Sequence, residues 1–130
     1  MKTMNKITCI TVDDDPFVLM VLKDLISSDE RLELIDECED SISATLSISK
    51  GKPSILFLDV MLPGLNGLEV LDILDEKPII IIISGIKNIK EQTTLQNNPY
   101  IADYLSKPIE LEPFKSAVNL AIEKMSEKTK

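Results

Sequence analysis

Between Ser54 and Gly64 the chain reads Ser-Ile-Leu-Phe-Leu-Asp-Val-Met-Leu-Pro-Gly, an apolar run closed by one carboxylate and then by Pro-Gly. A strand wetted on one side alternates polar and apolar side chains, so a run without alternation must be covered on both faces. That demand restricts the chain to a sheet sandwiched between other elements. Asp59 ends the run. Taken alone, an Asp in that place is usually a helix cap or a turn residue. Two other apolar segments, however, also end in polar groups of complementary chemistry: Thr11-Val12-Asp13-Asp14-Asp15 and Tyr104-Leu105-Ser106-Lys107-Pro108. Three such endings point to one shared crevice.

A length of 130 residues is expected to make a single domain spanning 1–130, with a core over about 5–126. The apolar run Ile79 to Ile83 ends in Ser84-Gly85 and falls far short of the roughly 20 residues of a membrane span. No apolar signal region follows Met1, so a cytoplasmic location with no membrane attachment is expected. Cys9 and Cys38 have neither metal spacing nor the density of a disulfide framework and read as reduced side chains, Cys9 in a strand and Cys38 in a polar segment. The chain has no histidine, which excludes Ser-His and Cys-His hydrolases and histidine metal sites. Its formal charge of −8 argues against direct contact with nucleic acid and for protein or small cationic partners.

Lys6 to Val12 predicts a first strand, stopped by Asp13-Asp14-Asp15-Pro16. Asp15 as N-cap and Pro16 at the first helical position predict a helix ending near Ser27, with Phe17, Val18, Met20, Val21, Leu22, Leu25 and Ile26 as its apolar face. Arg31 to Asp36 alternates and predicts a wetter, edge strand. Asp40 or Ser41 caps a short, weakly amphipathic helix through Ile42, Leu46 and Ile48 that stops at Gly51 and Pro53. Leu68, Val70, Leu71, Ile73 and Leu74 predict a further helix, Pro78 to Ile83 a central strand, and Asn88 to Asn98 a helix anchored by Ile89 and Leu95. Tyr100 to Leu105 predicts the fifth strand. The last helix sets Leu111, Phe114, Val118, Ala121, Ile122 and Met125 inward and Glu123, Lys124 and Glu127 outward.

Strands alternating with helices predict an α/β fold, a doubly wound five-stranded parallel sheet in the flavodoxin-like order 2-1-3-4-5. Ligands in such folds sit outside the carboxyl ends of the strands at the switch point, here between the first and third strands. Neighbouring strands lie roughly 4.8 Å apart, so Asp13, Asp14 and Asp59 are brought within a few ångströms of one another. Like charges that close require a positive partner. Mg²⁺ suits the site, because it accepts one or two carboxylates plus waters and phosphate oxygens. Lys107 adds an ammonium that can pair with Asp59 or with an incoming phosphoryl group, and Ser84 adds a hydroxyl beside Gly85. Singly each has an ordinary explanation: Asp15 a cap, Lys107 a surface lysine, Ser84 a strand end. Jointly they favour phosphoryl transfer to a carboxylate.

With these pieces in place the sequence resembles the receiver domain of two-component response regulators over nearly its whole length. The matching segments are Val12-Asp13-Asp14-Asp15-Pro16, Leu58 to Gly67, Ile83-Ser84-Gly85 and Asp103 to Pro108. The resemblance implies Asp59 as phosphoacceptor, and Asp13, Asp14 and Asp59 with the Met61 carbonyl as Mg²⁺ ligands. It implies Ser84 and Lys107 as the groups that receive the phosphoryl charge, and Ser84 and Tyr104 as the switch. It further implies a sensor histidine kinase or phosphotransfer protein as donor, a downstream target protein, and a monomer or a weak phosphorylation-dependent dimer. Two departures stand out. Asp59 and Ser84 are 25 positions apart, a short spacing for this family. Lys87 to Pro99, where the family's fourth helix lies, is poor in apolar anchors.

Three hypotheses follow. The first is a phosphorylatable receiver, not an enzyme in the ordinary sense, that assists its own phosphorylation and dephosphorylation and carries no output domain after its last helix. The second is a degenerate receiver that binds proteins without being phosphorylated. The third is a phosphohydrolase, disfavoured because Met61 stands where such enzymes usually place a second carboxylate. Met61 and Ile86 also offer no polar group to orient water, which predicts slow hydrolysis of any phosphoryl group.

Overall fold

In a computed structural model, which describes residues 5–61, 74, 76–85 and 98–128, five strands form one parallel sheet in the order β2-β1-β3-β4-β5. Along the chain these are β1 (Ile7–Val12), helix α1 (Pro16–Ser27), β2 (Leu32–Cys38), α2 (Ser41–Gly51), β3 (Ile55–Asp59), β4 (Ile79–Ser84), β5 (Ile101–Ser106) and the C-terminal helix, α3 (Leu111–Lys128). β3 and β4 are buried along their whole length, as their unbroken apolar runs require. The alternating β2 lies at an edge. The helices expected after Gly64 and from Asn88 to Asn98 fall outside the described residues, except that Leu74 is buried.

The two faces of the sheet carry separate cores. On one, Ile10, Val12, Leu56, Leu58, Ile80 and Ile82 meet Ala44 and Ile48 of α2. On the other, Cys9, Ile55, Phe57, Ile79, Ile81 and Ile83 meet Val18, Leu22 and Ile26 of α1 and Phe114, Ala117, Val118 and Ala121 of α3. The division follows from the two-residue period of a strand. Phe57 stacks on Phe114 with ring centroids 5.6 Å apart, tying β3 to α3. Removing either ring would cost roughly 3–5 kcal/mol.

The helix starts follow the capping signals. Asp15 accepts a hydrogen bond from the Phe17 amide at 2.9 Å, and Asp40 one from the Ser43 amide at 2.7 Å. The expected buried faces need correction. Phe17 and Met20 of α1 are mostly exposed, and Leu19, together with Val18, Leu22 and Ile26, is buried instead. In α2 the buried residues are Ser41, Ala44 and Ile48, while Ile42 and Leu46 face outward. Leu111 is also exposed. Each helix holds more apolar side chains than the stripe of sheet beneath it can cover. Cys38 belongs to β2 and is buried, because β2 runs two residues beyond Asp36. The left-handed residue that closes α2 is Lys52, with φ 45°, rather than Gly51. A Cβ on Gly51 would stand 3.0 Å from Ile35 Cδ1, so that glycine permits the close approach of α2 to β2.

Candidate functional site

β1, β3 and β5 end at the same rim because the sheet is parallel, and three backbone hydrogen bonds brace that rim. The Asp13 amide donates to the Cys38 carbonyl, the Val60 amide to the Ile83 carbonyl and the Lys107 amide to the Ser84 carbonyl. They join β1 to β2, and β3 and β5 to β4, just where the polar residues begin. Each buried carboxylate is then fixed in an Asx turn: Asp13 Oδ1 accepts from the Asp15 amide and Asp59 Oδ1 from the Met61 amide, both at 2.9 Å.

These turns direct the second oxygens of both carboxylates toward one cation. Lys107 Nζ stands 2.9 Å from Asp13 Oδ2 and 3.3 Å from Asp59 Oδ2. The contact to Asp59 is a hydrogen bond as well as an ion pair. The one to Asp13 is shorter but less well aligned, so that Asp13 Oδ2 makes no well-aligned hydrogen bond among the described residues. Burial raises the Asp13 carboxyl above its ordinary value, although the Asp15 amide and Lys107 act the other way. Burial also pulls the Lys107 ammonium down, yet Asp13 and Asp59 together outweigh it and leave the net shift upward.

Asp14 completes the cluster from the exposed side. One oxygen from each of Asp13, Asp14 and Asp59 lies within 4.8 Å of the others. When ionised, three carboxylates against one ammonium leave two negative charges. An all-oxygen donor set, a buried and poorly satisfied Asp13 Oδ2 and open access past Asp14 fit a hard divalent cation such as Mg²⁺. Of the remaining predicted residues, Ser84 is buried at the end of β4 next to the β5 terminus. Tyr104 is partly buried against the core that includes Ile80 and Ile82. Met61 is 65% exposed.

The sequence reading missed two features. The shared hold of Lys107 on Asp13 is not visible in a sequence that pairs Lys107 only with Asp59. Thr11, two residues before Asp13, buries its hydroxyl with no hydrogen-bond partner among the described residues. Nothing in a β-branched strand flags such a group, since Thr there reads as a strand former.

A doubly wound sheet whose switch point gathers three carboxylates and a lysine is the architecture of a receiver domain, and the comparisons assign the chain to that class. The response regulator receiver domain family matches residues 9–119, and the chain belongs to that family. It is 38% identical over 109 residues to the protein-glutamate methylesterase/protein-glutamine glutaminase of Pyrococcus abyssi, a match covering 82% of this chain and 30% of that protein. It is 31% identical to the transcriptional regulatory protein BtsR of Salmonella typhi, covering 80% and 43%. The chain thus spans less than half the length of these curated relatives. The response regulator domain of Thermotoga maritima CheB superposes with a TM-score of 0.72 at 28% identity, covering 95% of this chain and 96% of that one. A signal receiver domain from Vibrio parahaemolyticus shares the fold with a TM-score of 0.81, covering 96% of each chain at 23% identity.

Proposed function

We propose that residues 1–130 act as a single receiver domain in which Asp59 is the phosphoacceptor. The observation that carries this reading is that Asp13, Asp14 and Asp59 converge within 4.8 Å while Lys107 reaches both buried members. Asp59 Oδ1 is held by the Met61 amide, so its carboxylate is fixed before any donor arrives. One of its oxygens attacks phosphorus, the bond from phosphorus to the donor nitrogen breaks, and the electron pair leaves with the donor imidazole. The donor is a phosphohistidine on a sensor histidine kinase or phosphotransfer protein.

Asp13, Asp14 and Asp59, with the Met61 carbonyl, would hold Mg²⁺, which supplies charge neutralisation on the phosphoryl oxygens. Lys107 pairs with the phosphoryl group once Asp59 is phosphorylated, and Ser84 donates its hydroxyl to another phosphoryl oxygen. Tyr104 follows Ser84, which alters the protein-binding surface offered to a downstream target. The domain assists its own phosphorylation and dephosphorylation but turns over no other substrate. Its setting is the cytoplasm, and no helix among the described residues is long and apolar enough to cross a membrane.

Acetyl phosphate with Mg²⁺ tests the reading by intact mass. Wild type gains one phosphoryl group and Asp59→Asn gains none; no gain in wild type would refute it. A second reading, a degenerate receiver that binds partners without phosphorylation, predicts partner affinity unchanged in Asp59→Asn. Because Met61 lies open beside Asp59 and carries no group to orient water, Met61→Glu is expected to shorten the lifetime of the phosphoryl group several-fold in a chase experiment.

A further inference from the structure

The acidic site occupies one rim of the sheet. At the other, where β3, β4 and β5 begin, a cleft of about 490 Å³ opens between the end of α2, the segment leading into β4 and the far end of α3. That volume falls within the roughly 300–1,000 Å³ of small-molecule sites. Ser54 lies in this cleft and Asp59 in the acidic site, so five residues of extended strand, roughly 16 Å, keep the two places apart. The floor is apolar and stiff. Ile48 and Ile79 are almost wholly buried, as are Pro53 and Pro78. A proline has a fixed φ and no N–H, so the segments that lead into β3 and β4 bring rings to the cleft and have little freedom to collapse into it. Tyr100, partly buried, adds an aromatic surface.

The mouth of the cleft is basic in a chain of formal charge −8. Lys52 and Lys77 both line it, against Glu76 as the one acid among the described lining residues. Lys52 closes α2 with φ 45°, a backbone position that glycine takes without strain, although Gly51 stands one residue earlier. Helix closure alone is served better by glycine, so a long cationic side chain held there is the kind of outlier that marks a site. Lys77 is half-buried, and its ammonium donates to the Leu74 carbonyl at 2.9 Å. That neutral acceptor fixes the side chain without cancelling its charge. We infer that the cleft binds a small organic monoanion with a flat apolar body, an aromatic carboxylate being the simplest case. Two ammonium groups against one carboxylate leave a single positive charge to be met, while Glu76 repels a polyanion. The apolar floor holds the body of the ligand. A neutral aromatic gains the floor without the lysines, and an inorganic anion gains the lysines without the floor.

None of these residues belongs to the acidic site, so binding here is independent of phosphorylation. Two-dimensional amide NMR of the whole chain, titrated with naphthoate and separately with the neutral naphthamide, tests it. Naphthoate should bind with a dissociation constant on the order of 0.1–1 mM, as a ligand of about thirteen heavy atoms allows. The amides of Lys52, Ser54, Lys77, Ile79 and Tyr100 should move, and naphthamide should bind about three-fold more weakly or worse. Lys52→Gly removes the ammonium and suits the left-handed backbone, and Lys77→Met keeps the apolar stem without the charge. Each should weaken naphthoate several-fold and leave naphthamide unchanged, whereas Glu76→Gln should tighten naphthoate and Asp59→Asn should not alter it. The amide spectra themselves show that the substituted chains remain folded. No saturable shift with naphthoate, shifts confined to the neighbourhood of Asp59 and Lys107, equal affinity for the two compounds, or unchanged naphthoate affinity in either lysine variant would each overturn the inference.

Discussion

At opposite rims of the sheet the chain sets an aspartate against a cation, and the two pairs have opposite electrostatic consequences. Before β2, Asp29 takes Arg31 in a two-pronged contact, with Oδ2 at 2.7 Å and Oδ1 at 3.0 Å, while Oδ1 also accepts the Arg31 amide. Its carboxyl is held below the ordinary range, the Arg31 side-chain bonds outweighing desolvation. At the other rim Asp13 also has a backbone amide and a cation, yet its carboxyl is pushed up, because burial outweighs both. The first arrangement satisfies a carboxylate; the second leaves it wanting more positive charge. The first is a surface tie; the second gathers three carboxylates around one ammonium, an arrangement that suits a further cation.

The comparison breaks most readily at Lys107. Lys107→Met leaves two buried carboxylates facing each other and is expected to cost about 3 kcal/mol in urea unfolding at neutral pH without divalent cation, part of which Mg²⁺ restores. A loss no larger than that of a surface pair would erase the distinction between the rims.

Asp13→Asn works in the opposite direction. Because its folded value lies above the unfolded one, Asp13 stabilises the native state at acid pH, and that contribution is lost as pH climbs from about 4 through the folded value. The asparagine variant should therefore be more stable than wild type at pH 7 by on the order of 1 kcal/mol, with the difference shrinking toward pH 4. Thr11→Val, which removes a buried hydroxyl with no partner among the described residues, should add about 1 kcal/mol independent of pH.

The smallest effect belongs to the satisfied rim. Asp29→Asn should cost roughly 0.5–1 kcal/mol at pH 7, since Arg31 is largely solvent-exposed. Its folded value lies below the unfolded one, so the contribution is present above about pH 4 and disappears as pH falls through the folded value.

How much of this was legible in the sequence depends on the range of the forces involved. Strand ends, caps and the convergence of Asp13, Asp14, Asp59 and Lys107 were readable because an unbroken apolar run fixes a buried strand and the parallel order brings the ends together. Asp15 and Asp40 act over two or three residues and were equally plain. Which face of α1 and α2 meets the sheet was not readable: Phe17, Met20, Ile42 and Leu46 suit burial as well as the residues chosen, and only the available sheet area decides. The Arg31 bond to Asn119 joins residues 88 apart and leaves no local pattern. The division of labour between buried Asp13 and exposed Asp14 likewise comes from tertiary packing, since the two are identical in type and adjacent in sequence.

Calorimetric titration of MgCl₂ into wild type and Asp13→Asn addresses the central claim, that the crowded rim binds a divalent cation through its buried carboxylates. Wild type should show one site, with a melting temperature that climbs as Mg²⁺ is added, while Asp13→Asn shows neither. Equal binding heats and equal thermal shifts in the two proteins, or none in wild type, would contradict it.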